Sequence, residues 1–336
     1  MFWCTHDRWQ EAWDAFTSQL RLRPVRATAA RFWCDWYAGI TAGILAEFAC
    51  SEPVLSEALA IAREMDDPQM IALAHLAIGE DCLLQGRLAE AQDWTDGAVA
   101  VDRQLVPRHF LPYYLFNAGW TALRQRRLES AIALLDDAIA VGSEIGDAYS
   151  LSISLPLRAS AAVVKDDLAR AQEFLLRAED VSRPLPNAGL GTARIGLGRL
   201  ALLGGDTHRA AEYFWSTLDD AVTAGRRVQI CESLEGLALI AQAHNDTHVA
   251  AYLLGAVESA RTSLYRGRPP KYGRRLEAAM EDLRHTLGDA DFDHARMAGQ
   301  RMTLNDAVAY AEAAFCDGWG KLIGFVGTTG SKLKPT

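Results

Sequence analysis

His244 and His248 stand four residues apart, the spacing that sets two imidazoles on one helical face as metal ligands. Asn245-Asp246 between them is a turn signal and no third ligand is near, so exposed turn histidines are expected. Asp289, Asp291 and Asp293 imitate the opening of a calcium loop. Its sixth position would be His294 in place of glycine and its twelfth Gln300 in place of glutamate, so geometry and charge both fail. Gly327-Thr328-Thr329-Gly330-Ser331-Lys332 imitates a phosphate loop but lacks the Gly-Lys-Ser/Thr order. The pairs Asp136-Asp137 and Asp166-Asp167 suit helix starts and solvated faces better than acid–base dyads.

Arg261, Arg266, Arg268, Lys271, Arg274 and Arg275, beside Tyr265 and Tyr272, interleave cations with aromatics as nucleic-acid surfaces do. Pro269-Pro270 in their midst reads instead as a loop joining two helices. No Ser/His/Asp or Cys/His grouping stands out. The expectation is a chain with no catalytic residue, no metal and no cofactor.

Composition narrows the class further. The chain has 336 residues, half of them hydrophobic, so material for a large core is ample. Its formal net charge of −9 argues against a stand-alone nucleic-acid binder, which would carry a basic surface. Six scattered cysteines without a Cys-x-x-Cys pair read as reduced thiols of a cytoplasmic protein. The longest apolar stretch ends at Glu47, far short of the ~20 residues a membrane span needs. A direct nucleic-acid or membrane partner is therefore not expected.

An internal repeat organises the elements. Ala91, Ala131, Ala171, Ala211 and Ala251 form one column of forty-residue spacing, and Ala58, Ala98, Ala138, Ala178 and Leu218 form a second. The columns lie on one helical face and read as an unbroken repeat. A turn precedes each Ala of the first column: Gln85-Gly86-Arg87, Gln125-Arg126-Arg127, Lys165-Asp166-Asp167, Gly204-Gly205-Asp206 and His244-Asn245-Asp246. Before each turn runs a helix with a small residue (Gly79, Gly119, Ala159, Gly198) where a neighbour's backbone can come close. The predicted fold is all-α: a right-handed α-solenoid of TPR-like hairpins with a forty-residue period and a C-terminal helical cap. Predicted boundaries are 1–25 for the second helix of a truncated first repeat, 26–250 for the repeats, 251–314 for capping helices and 315–336 for a flexible tail.

The C-terminal third carries Ala251-Tyr252-Leu253-Leu254-Gly255-Ala256, then Pro269-Pro270, Leu287-Gly288, Phe292, Gly299 and Leu304-Asn305-Asp306-Ala307-Val308-Ala309-Tyr310-Ala311. This succession resembles the end of the helical-repeat region in large LuxR-type transcriptional regulators with a signal-transducing ATPase, the maltose-regulator group. The resemblance implies a sensor or scaffold arm. The family's upstream ATP-binding domain is not seen, since no G-x-x-x-x-G-K-[ST] occurs. Nor are the helices of its downstream helix-turn-helix, although Gly318-Trp319 resembles the family's linker.

Function is therefore expected in binding, on the concave side that first helices line. Tyr114, Asn117, Arg158 and Arg194 share a repeat phase or lie one turn from it, and would form an aromatic–cationic wall for a protein partner or small anionic effector. The competing readings are an α-hairpin enzyme with a central carboxylate funnel and a regulator fragment without an independent role. At the other end, Trp9, Trp13, Phe16 and Leu20 make a continuous apolar stripe. With its natural neighbour missing, that edge would be covered by a homodimer, a partner domain or the chain folding back.

Overall fold

A computed structural model describes residues 9–20, 27–105, 109–185, 189–261 and 270–319. Every regular element among them is helical. After α1 (Trp9–Leu20) come hairpins α2 (Ala29–Ile44) with α3 (Phe48–Glu64), and α4 (Pro68–Leu84) with α5 (Leu88–Asp102). Next are α6 (Leu111–Arg124) with α7 (Leu128–Ile145), and α8 (Ala148–Val164) with α9 (Leu168–Ser182). Two more hairpins follow, α10 (Gly189–Leu203) with α11 (Thr207–Thr223) and α12 (Arg227–Ala243) with α13 (Thr247–Arg261). The last helices are α14 (Pro270–Leu287), α15 (Asp289–Gln300) and α16 (Leu304–Trp319). The chain forms two compact units, Met1–Ala193 and Arg194–Thr336.

The corners explain the repeat. Gly86, Arg126, Asp166, Gly205 and Asn245, the middle residues of the five turns read from the sequence, all have positive φ, between 61° and 80°. Such left-handed residues let one helix stop while the next starts at once. Asp166-Asp167 divides the work. Asp166 takes the left-handed corner, and Asp167 caps α9 by accepting the Arg170 amide at 3.1 Å. Asp67, Asp147 and Asp206 cap α4, α8 and α11 in the same way.

Both alanine columns are buried throughout, and the small residues sit where helices of one hairpin meet. A Cβ on Gly79 would lie 3.3 Å from the Ala91 carbonyl oxygen, and one on Gly119 would lie 2.9 Å from Leu135 Cγ. The register, however, is not unbroken. The Arg127 amide donates to the Ala122 carbonyl and Asp167 to Ala162, but the next equivalent bond is Asp206 to Ala201. One residue is missing between the last two, so Ala210 and Ala250, not Ala211 and Ala251, continue the column of Ala131 and Ala171. The error was invisible because Ala210, Ala211, Ala250 and Ala251 are all buried.

The C-terminal boundaries also shift. The break expected after residue 250 falls inside α13, which completes an ordinary hairpin with α12. The tail expected from 315 is helical through Trp319, because Phe315 is buried with its ring edge against Trp215, 5.5 Å between centroids. The rest of that segment lies outside the described residues. Between α13 and α15 the backbones nearly touch: a Cβ on Gly255 would stand 2.2 Å from the Arg296 carbonyl oxygen, and one on Gly299 2.1 Å from that of Tyr252.

Candidate binding face

Of the four residues expected to line an open wall, three are buried: Tyr114, Asn117 and Arg158. Tyr114 is 0% exposed and its hydroxyl accepts from Gln69 Nε2 at 3.0 Å. Asn117 is buried too, its Nδ2 donating to the Tyr113 carbonyl at 3.0 Å. Arg158 forks onto Asp136 at 2.7 and 3.3 Å and lies 4.9 Å over the Phe174 ring. Arg194 pairs with Asp220 at 3.1 Å within the second unit. The one-residue loss explains its misplacement: the residue in phase with Tyr114 and Ser154 is Ala193, which is buried. Both guanidinium groups are already met by carboxylates of the chain.

The face that is partly open begins one residue away. About 100° round α6 from Tyr114, Tyr113, Phe116 and Trp120 form a half-buried stripe at i, i+3 and i+7. Their rings follow one another, 6.1 Å between Tyr113 and Phe116 and 6.3 Å between Phe116 and Trp120. Tyr149 at the start of α8 is 48% exposed and sits 6.1 Å from the Tyr113 ring. First helices touch in succession here, α2 with α4, α4 with α6 and α6 with α8. On α2, Trp33, Trp36 and Tyr37 form a further aromatic cluster, Trp33 being 37% exposed.

A single carboxylate interrupts the rings. Glu80 of α4, half-buried, accepts the Tyr113 hydroxyl at 3.2 Å. Burial pushes its carboxyl up to about 7, although the hydrogen bond opposes the rise. Burial, reinforced by the neighbouring carboxylate, holds the Tyr113 hydroxyl well above its ordinary value. No cation among the described residues pairs with Glu80. Sequence patterns gave no sign of it, since one acidic residue in an apolar helix belongs to no motif.

The remaining candidates resolve into structure. His244 and His248 are exposed, with His244 Nε2 2.9 Å from Thr207 Oγ1. Among the described residues, no group of three or more His, Cys, Asp or Glu could hold a metal. Asp289 and Asp293 accept from Arg284 at 2.8 and 2.9 Å, which accounts for two acids of the false calcium loop. Arg261 forks onto buried Glu235 at 2.7 and 3.3 Å, while Arg199 lies 4.2 Å over Tyr272 and bonds Glu232 at 2.9 Å. Arg266 and Arg268 of the basic run, and the glycine-rich stretch from Gly327, lie outside the described residues. Cys82 and Cys231 are buried, their thiols pushed up to about 11 and about 12 by desolvation, which leaves them unreactive.

In the N-terminal stripe, Phe16 stacks on Tyr37 with centroids 5.6 Å apart, and Trp13 is half-buried. Trp9 and Leu20 belong to α1, but their side chains lie outside those described.

No protein-family model and no curated protein sequence matches the chain. Solved structures do match it in shape. A Rap protein complexed with competence and sporulation factor is 12% identical with a TM-score of 0.51, the match covering 93% of this chain and 98% of that one. The apo form of RapI is 11% identical with a TM-score of 0.50, covering 84% and 99%. BtubC (BKLC) from P. vanneervenii is 16% identical over 66% and 89%, at a TM-score of 0.49. At these identities the likeness concerns the fold: the chain is an all-α helical-repeat protein similar in architecture to Rap proteins. Among the described residues, no helix is long and apolar enough to cross a membrane.

Proposed function

We propose that the chain is a non-enzymatic binding module that holds a peptide segment of a partner on the first-helix face of its first unit. The observation that carries this is the run of half-buried rings Tyr113, Phe116 and Trp120 continued by exposed Tyr149. Rigid aromatic side chains supply large contact area at low entropic cost, and they dominate peptide-binding surfaces. The Rap protein of similar fold was solved with competence and sporulation factor, which favours a peptide over the small anionic effector that Arg158 and Arg194 suggested. The finer reading, a sensor arm related to LuxR-type ATPase regulators, rests on the succession from Ala251 to Ala311. Gly255 and Gly299 of that succession mark the crossing of α13 and α15.

The test is titration of the purified chain with a randomised hexapeptide library, read by tryptophan fluorescence and calorimetry. Selected peptides should lose at least tenfold in affinity with Trp120→Ala and with Tyr149→Ala. Binding that survives both substitutions would show that the site is elsewhere.

A further inference from the structure

We infer that this face selects its peptide by a basic side chain, a Lys or Arg that reaches Glu80 and rests against the ring of Tyr113. The inference rests on the binding role proposed above and names the partner chemistry.

Three observations converge. First, Glu80 receives one neutral hydroxyl and no cation among the described residues, so a half-buried acceptor retains capacity for charged donors. Second, the elements around it supply no competing cation. Helices α4, α5 and α7 contain neither Lys nor Arg. Of the two helices that also pack on α4, α2 has its one Arg, Arg31, bonded to Asp35 and Glu57, while α3 has its one Arg, Arg63, exposed in the last turn. The sole Arg of α8, Arg158, is engaged by Asp136, and the sole Arg of α6, Arg124, is exposed in the last turn. Third, the carboxylate meets the hydroxyl of Tyr113, whose ring lies 6.1 Å from those of Phe116 and Tyr149, and aromatic faces attract a cation by their negative quadrupole. A cationic side chain would meet charge and π-face together. An acidic one would be repelled, and an apolar one would leave the carboxyl without a countercharge.

A peptide is favoured over a small amine by the extent of the surface. Rings from α6 and α8 and the carboxyl of α4 lie on three successive first helices, and helices pack about 8–10 Å apart. One ammonium group covers a single such position, whereas an extended segment crosses several.

The experiment uses the full chain and three hexapeptide pools, randomised except for one central residue fixed as Lys, norleucine or Glu. Fluorescence anisotropy should show the Lys pool binding at least tenfold more tightly than the norleucine pool, with the Glu pool weakest. Glu80→Gln should bring the Lys and norleucine pools to within twofold of each other. Glu80→Asp, which keeps the charge, should restore part of the preference and guards against a folding defect in the Gln variant. Equal binding of Lys and norleucine pools to the native chain would overturn this inference and leave the binding role standing. No binding by any pool would overturn both. A preference that persists in Glu80→Gln would place the cation's acceptor elsewhere.

Discussion

The Tyr113 hydroxyl and the Glu80 carboxylate meet at 3.2 Å, a bond that ties α6 to α4 on the partly open side of the first unit. It is the sole hydrogen bond the Glu80 side chain makes among the described residues, and it does not offset the cost of burying the charge.

Stability should therefore respond to Glu80 with an unusual sign. The folded carboxyl titrates near 7 and the unfolded one near 4.5. Between these values the folded state holds a proton the unfolded state has released, so raising pH through the window weakens the fold and the loss is complete above 7. Glu80→Gln removes this slope. Its advantage over the native chain in urea unfolding should grow from pH 4.5 to pH 8, reaching about 2 kcal/mol. A difference independent of pH would contradict the assignment.

Arg158 should matter to folding. Its fork on Asp136 and its place over Phe174 are lost together in Arg158→Ala, at about 2 kcal/mol for a charged hydrogen-bonded pair with one exposed partner. Arg158→Lys keeps charge and stem but not the fork, and should cost about half as much. Urea midpoints of the two variants decide the order.

Gly255→Ala or Gly299→Ala should separate α13 from α15. Each new methyl would meet a carbonyl oxygen of the facing helix, backbone that cannot swing away as a side chain would. Overpacking of this kind costs about 3 kcal/mol. Amide exchange should rise in both helices, while exchange in α4 and α6 stays as in the native chain.

Gly146→Ala tests the corners alone. This residue closes α7 at φ 72° and has open space around it, so a methyl there meets nothing. The cost should be purely conformational, about 1–2 kcal/mol for a left-handed alanine. A neutral substitution would mean that the corner relaxes freely.

Much of the architecture was legible because its signals are local. The turn triplets need a left-handed residue, and the amino-acid types that tolerate one were visible at Gly86, Asp166 and Asn245. Arg126 was placed there by period alone. The binding face was less legible for a geometric reason. A forty-residue column states that Tyr114 and Ser154 occupy equivalent positions, but not where those positions point. First helices pack against neighbours on several sides, so the apolar stripe that betrays orientation in a surface helix is blurred. The choice between Tyr113 and Tyr114 thus turned on one residue, as did the choice between Ala193 and Arg194. A lost residue in an alanine-rich stretch leaves no trace in composition.

The left-handed corners also quantise the length of the chain. Ala46, Asp66 and Gly86 lie twenty apart, as do Arg126, Gly146 and Asp166, and then Gly205, Gly225 and Asn245. Adding or removing one residue inside a helix turns everything beyond it by about 100°, which would swing the buried alanines into solvent. Between Asp166 and Gly205 the count falls one residue short, after α9 has kept its phase. Such a chain can grow by copying whole hairpins, each duplicate arriving with its own corners and a first helix to extend the face, whereas it shortens by single residues only where one helix has ended.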